Sequence, residues 1–173
     1  MHARTGTFGL VLTSALFLSS SLPALAVSQD FHPAQPSSTG ATTTGMCTTG
    51  TESYSVSTTS QATSSKSFSS VNGTGVSFNQ GAAGCVEVSF SSEALTSPNE
   101  IMLTQAVLDG STVCTPNHNL FASPSSGYPA AHAMNYICPN VSAGKHSVAM
   151  QFASRYGSRV QVYYHTTIVR YAP

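Results

Sequence analysis

The sequence predicts an all-β domain: an antiparallel β-sandwich of about eight strands, tied by two disulfides. Three observations carry that reading. Short runs alternating apolar and polar residues recur at roughly 8–12-residue spacing, parted by Gly, Pro, Asn-Gly or Asp-Gly, and none has a helical period. Four cysteines form an even set in a chain that begins like an exported one. Only 7% of residues are charged, against roughly 25% in ordinary soluble chains, and Ser, Thr and Gly fill the gap.

Residues 1–26 read as a signal peptide. His2 and Arg4 open it, Phe8 to Leu18 is mostly apolar, and Ala24-Leu25-Ala26 fits the small-x-small cleavage rule, so Val27 would begin the mature chain. The apolar run falls short of the roughly 20 residues of a spanning helix. No Cys follows the cut, as a lipoprotein would need, and no later stretch is long and apolar enough to span a bilayer. The expected location is therefore extracellular, or periplasmic behind an outer membrane, with no membrane span after signal removal. Residues 27–45 have little to bury and carry Pro33 and Pro36, so they read as a disordered Ser/Thr/Pro-rich leader. The β-sandwich domain would occupy 46–173.

Within it, Glu52 to Thr58 alternates with Tyr54 and Val56 on one face. Ser67 to Val71 and Thr74 to Phe78 flank Asn72-Gly73, a tight-turn dipeptide. Cys85 to Phe90 is the cleanest strand, with Val86, Val88 and Phe90 inward and Glu87 and Ser89 outward. Glu100 to Leu108 is apolar on both faces near its start, which suits a central strand, and Asp109-Gly110 ends it. Ser111 to Pro129, with Pro116, Pro124 and Pro129, reads as a long surface loop of the kind that carries binding residues. Ala131 to Cys138 is strand-like, with His132, Met134 and Tyr136 on one face. Two last runs, joined through Gly157-Ser158, read as a closing β-hairpin: Val148, Met150 and Phe152 in the first, Val160, Val162 and Tyr164 in the second. His165 would share a face with Tyr163 and Val169.

Four cysteines allow three pairings. The strand order favours Cys114–Cys138, closing the Pro-rich loop at its base, and Cys47–Cys85, tying the domain's start to its strongest strand. Without a C-x-x-C pair, and in an oxidising compartment, disulfides are expected rather than a zinc site.

Lys+Arg and Asp+Glu are balanced at 6 each, so there is no basic stripe for nucleic acid and no tail for electrostatic steering. No H-x-H, H-E-x-x-H or E-x-x-H spacing occurs, and no G-x-S-x-G or S-x-x-K. Neither a metal, a cofactor nor a catalytic residue is therefore predicted. His132, His146 and His165 would make a metal site only if their strands converged. His146, in phase with Val148 and Met150, should lie at the core's edge. The acidic residues Glu87, Glu93, Glu100 and Asp109 are too few to support a glycosidase pair. Asp109 and His118 flank the long loop and would meet there if they did more than form a turn and face solvent. Tyr128, Tyr156, Tyr163, Tyr164 and Tyr171 lie amid Ser, Thr and Asn. Aromatic faces stack on sugar CH groups while hydroxyls and amides bind sugar OH groups, so these tyrosines are either a glycan surface or half-buried strand residues. Asp109, His118, Tyr128, Tyr156 and Tyr163 are the ligand-binding candidates. Asn72-Gly-Thr74 and Asn140-Val-Ser142 fit the N-glycosylation pattern, which matters only in a eukaryotic host.

The run C-V-E-V-S-F-S-S-E-A, the L-D-G turn and Gly144-Lys-His-Ser-Val148, followed by T-T-I-V-R-Y, resemble secreted bacterial β-sandwich proteins of jelly-roll type. The resemblance covers about Cys47 to Ala172 and implies a jelly-roll fold and binding or assembly modules, with no catalytic residue to carry over. The function expected is a secreted, non-enzymatic binding or surface-interaction module, with a glycan or cell-surface polymer as partner. The alternatives are a self-associating structural protein, hence a homo-oligomer, and a secreted hydrolase or metal enzyme built on the strand histidines.

Overall fold

A computed structural model describes residues 47–124 and 127–173. The signal and leader readings, 1–26 and 27–45, lie outside the described residues. Strands β1 (Thr51–Ser57), β2 (Gln61–Thr63), β3 (Ser69–Ser70), β4 (Val76–Gln80), β5 (Gly84–Thr96) and β6 (Met102–Leu108) come first. They are followed by β7 (Thr112–Val113), β8 (Asn119–Ala122), β9 (Ala130–Val141), β10 (Gly144–Ser154) and β11 (Val160–Tyr171). All pairings are antiparallel.

One sheet runs β1-β11-β5-β9, with β2 beside β11. The other centres on β10-β6, with β3 and β4 along the free side of β10 and β7 and β8 along that of β6. From β4 onward the long strands alternate between the sheets, which is the winding of a jelly roll. The all-β sandwich expected from the alternation is therefore the fold.

Its core is the set of inward positions of the two sheets. Val86, Val88 and Phe90 of β5 and Val160, Val162 and Val169 of β11 face Val148, Met150 and Phe152 of β10. β6 is central, as its two apolar faces suggested: all of it is buried except Leu103, which is half-buried. One polar link crosses the core, between Thr104 Oγ1 on β6 and the Tyr136 hydroxyl on β9. Burial, partly offset by that bond, pushes the Tyr136 hydroxyl up to about 12. Cys47 is bonded to Cys85 and Cys114 to Cys138, with Cα atoms 5.3 and 4.4 Å apart. Beside the second bridge, Thr115 and Ile137 exchange both backbone hydrogen bonds, so the chain after β7 stitches one sheet to the other.

Three local expectations are corrected. β10 and β11 do not form a hairpin but lie in opposite sheets, joined by an arch at 155–159. Each already has neighbours on both sides, so neither has a free edge for the other. Asn72-Gly73 forms the turn expected of it, though the strands on either side do not pair with each other. β3 and β4 pair with successive parts of β10, and the dipeptide is a detour between them, with Gly73 at φ 76°. Buried Thr74 bridges it, its hydroxyl donating to Val71 O (2.7 Å) and accepting from Met150 N–H (3.0 Å). The predicted loop 111–129 contains β7 and β8, strands too short to show a period. Finally, a register shift between Val162 and His165 flips the phase of β11, turning Tyr164 outward and His165 inward with Val169, out of alternation with Tyr163.

Candidate functional site

The candidate binding residues do not gather in one place. Asp109 occupies the β6–β7 turn, where it and Gly110 both have positive φ (49° and 73°), as a type I′ hairpin turn requires. His118, between β7 and β8, stacks on Phe68 at 5.0 Å and does not meet Asp109. Tyr128 is exposed on the β8–β9 connection and Tyr156 on the arch. Tyr163 is half-buried at the irregularity in β11. Tyr171 belongs to the core, tilted against Phe78 with its hydroxyl 3.1 Å from Ser53 Oγ.

Asp109 instead partners His146. Its Oδ2 is 2.7 Å from His146 Nδ1, and its Oδ1 accepts from Ser147 N–H at 2.8 Å. The hydrogen bond to Asp109 raises the imidazole above its ordinary value, while His146 and the Ser147 N–H hold the carboxyl of Asp109 below its own. His146 Nε2 lies 3.0 Å from Ser142 O and 3.4 Å from Ser142 Oγ. The string Asp109–His146–Ser142 looks like a nucleophilic triad, but its protons are in the wrong places. A triad histidine accepts the serine proton at Nε2, whereas here Nε2 faces a carbonyl, to which it can only donate. The arrangement suits a cationic clamp that ties the β6–β7 turn to the β9–β10 turn.

The three strand histidines are not brought together. His132 tilts against Phe121, His146 against Phe78 and His165 against Phe90. Both ring nitrogens of His165 face backbone carbonyls, those of Tyr163 (2.7 Å) and Asn72 (2.9 Å), so it tethers the shifted part of β11 to the Asn72-Gly73 detour. Among the described residues no group of three or more His, Cys, Asp or Glu side chains is placed to hold a metal, and no helix is long and apolar enough to cross a membrane.

The unusual surface is the outer face of the β1-β11-β5-β9 sheet. β1 has its polarity inverted: Ser53, Ser55 and Ser57 are half-buried, while Tyr54 and Val56 are 73% and 63% exposed. The strand pairings set Tyr54 beside Ile168, Ser89 and Asn135 in one row across the sheet, and Val56 beside Thr166, Ser91 and Ala133 in the next. Tyr164, 60% exposed, joins Val56, Thr58, Ser91, Glu93 and Thr166 around a shallow depression of about 270 Å³. The result is an open platform with two tyrosines amid hydroxyls.

No family model and no curated protein matches this chain. Its likenesses are structural. The CBM36-1 domain of a multidomain xylanase from the hindgut metagenome of Trinervitermes trinervoides shares 15% identity at a TM-score of 0.36, over 68% of this chain and 96% of that one. The C-terminal CBM6 domain of LamC, a marine laminarinase from Zobellia galactanivorans, shares 13% at a TM-score of 0.30, over 62% and 98%. Both are carbohydrate-binding module domains with a β-sandwich fold. The fold of this chain rests on its own strand order.

Tyr54 escaped the sequence reading because alternation shows that two faces differ, not which one is inside. The signal was there in part: Glu52 and Thr58 share the face of Tyr54 and Val56, and the other face is Ser53, Ser55 and Ser57. A strand with serine on one side and apolar residues on the other is read by default as apolar-in, and β1 is the exception.

Proposed function

We propose that this domain is a non-catalytic carbohydrate-binding module that takes a glycan chain on the outer face of the β1-β11-β5-β9 sheet. The observation that carries the reading is the inverted β1, which turns Tyr54 and Val56 to solvent in line with Tyr164. Exposing them forgoes the stabilisation that burial would supply, roughly 1.5–3 kcal/mol for a large apolar side chain. A ligand that stacks on them restores it. The sugar's hydroxyls would bond to Ser89, Ser91, Thr166 and Asn135. The platform is open and nearly flat, which suits a polymer lying along it better than a small molecule enclosed by it. Export through residues 1–26 and display on the leader 27–45 belong to the same proposal, and two disulfides are at home in an oxidising compartment.

Co-sedimentation with a panel of insoluble polysaccharides and cell-wall fractions tests it. Tyr54→Ala and Tyr164→Ala should each weaken binding about 3–10-fold, as loss of about 0.7–1.4 kcal/mol of stacking requires. Tyr128→Ala should not. Binding to no fraction, or platform variants that bind like wild type, would refute the platform. If the protein instead shows a concentration-dependent mass that Tyr54→Ala abolishes, the face joins copies of the chain and the self-associating alternative replaces it.

A further inference from the structure

The described residues contain five Lys or Arg and five Asp or Glu, but they are not all paired. Glu52 pairs with Arg170. Asp109 is held by His146 and shares a depression with Lys145. Glu87 and Glu93 lie on β5, Glu87 opposite Arg170 and Glu93 beside the platform. The remaining cations, Lys66, Arg155 and Arg159, have no ion pair among the described residues, and they lie in or beside the arch joining β10 to β11. Arg155 and Arg159 are its two feet. Its apex is Gly157, at φ 99°, where a Cβ would come within 3.2 Å of Lys66 Cε.

The carboxylate at this end, Glu100, makes no ion pair with these cations. It is fully buried beneath the arch, and its oxygens accept N–H bonds from Ile101 (2.8 Å), Tyr156 (2.9 Å) and Ser158 (2.6 Å). Further bonds fix the frame: Arg155 N–H to Ile101 O, Ser97 N–H to Arg159 O, Ser154 N–H to Ser65 O. The arch is thus a rigid mount, and rigid mounts lose little entropy on binding. On it the Arg155 guanidinium carbon lies 5.6 Å from the Tyr156 ring centre, and that ring is 51% exposed. Arg159 is oriented by a 2.8 Å bond from its Nη2 to Gln161 Oε1.

We propose that the arch is a second binding site, for an acidic polysaccharide. Tyr156 stacks on a sugar ring, and Arg155, Arg159 and Lys66 pair with carboxylate or sulfate groups on that ring and its neighbours. Guanidinium groups match both anions through paired N–H bonds. An aromatic ring beside an arginine favours an anionic sugar over a bare ion. This site does not depend on the sheet platform.

The test is affinity electrophoresis of the full chain in gels holding polygalacturonate, dextran sulfate, neutral dextran or a single-stranded oligonucleotide, at low and high salt. Polygalacturonate or dextran sulfate should retard the protein at low salt, and the stronger of the two identifies the anion. Arg155→Gln with Arg159→Gln should weaken that binding at least about tenfold, and Lys66→Gln should weaken it further. Lys145→Gln removes one positive charge away from the arch, as Lys66→Gln alone does beside it, and should leave binding within about twofold. Melting curves confirm that each variant is folded. Equal loss in Lys145→Gln, equal retardation by the oligonucleotide, or no retardation by either acidic polymer would overturn the proposal. Tyr54→Ala should leave acidic binding intact, so the platform and the arch fail or stand separately.

Discussion

Replacing Glu100 by Gln probes the joint that turns the chain from one sheet to the other. The wild-type carboxylate accepts three backbone N–H bonds, and the Ser154 hydroxyl supports it. Hydrogen bonds to a charged group contribute about 1.5–3 kcal/mol each, and an unsatisfied buried donor costs about 1–3 kcal/mol. Gln keeps one acceptor oxygen and turns an NH₂ toward donors, so at least one N–H of the arch goes unpaired. A loss of about 3 kcal/mol is expected, or roughly 10 °C in Tm for a domain of this size. Burial alone would raise the Glu100 carboxyl, but the N–H groups of Tyr156, Ile101 and Ser158, with Ser154, outweigh it and hold it below its ordinary 4.5. Because the folded value is the lower one, this stabilisation is complete above about 4.5 and disappears as pH falls through the folded value. Melts of wild type and Glu100→Gln across pH should therefore differ at neutrality and converge in acid. A difference below about 0.5 kcal/mol at neutral pH, or one that does not change with pH, would refute the account of the arch.

The His146–Asp109 clamp has a window bounded on both sides. The raised imidazole contributes fully below its ordinary 6.5 and loses that contribution as pH rises through its folded value, while Asp109 contributes above its ordinary 3.8 and loses it in acid. Asp109→Asn should bring the His146 titration, followed by NMR, down toward 6.5; an unchanged midpoint would show that the pair is not coupled. Thr74→Val strands the Met150 N–H in the core and should cost about 2–3 kcal/mol in urea unfolding, with faster exchange at the Met150 amide. Replacing Cys114 and Cys138 together by Ala opens a bridge of sequence separation 24, for which chain entropy predicts a loss of about 3.5 kcal/mol. An unfolding midpoint close to wild type would place the work of that closure on the Thr115–Ile137 hydrogen bonds instead.

The sheet faces were legible where both faces of a strand differ and the strand is long. Val86, Val88 and Phe90 on β5, and Val148, Met150 and Phe152 on β10, are buried where alternation placed them. The jelly-roll order was not legible from alternation, because a strand's pattern states which face is inward but not which sheet it joins. β11 shows the limit within one strand: a single irregularity near Tyr163 inverts the phase, and nothing in V-Y-Y-H marks it. His146 was placed at the core's edge, but its partner was missed because Asp109 lies on a separate turn, 37 residues away. The cationic arch was missed for the same reason: Lys66 is distant in sequence from Arg155 and Arg159, and only the fold sets it against Gly157.

The arch also shows why the local hairpin reading fails. Taken alone, two alternating runs around Tyr156-Gly157-Ser158 favour pairing with each other, since the closure entropy of so short a loop is small. Against this stand contacts from remote segments. Glu100 can satisfy the arch N–H groups only if the chain passes over it from one sheet to the other, and Ser97 and Ile101 take up Arg159 and Arg155 on either side. A hairpin would leave Glu100 buried without those donors, or force it out to water. The buried acid therefore selects the crossing at 155–159. The same selection lifts the cations and Tyr156 clear of the sheets, so a fold-specifying residue is also what presents the proposed second site. Glu100→Gln should accordingly weaken acidic-polymer binding at neutral pH even though Glu100 itself cannot reach the ligand.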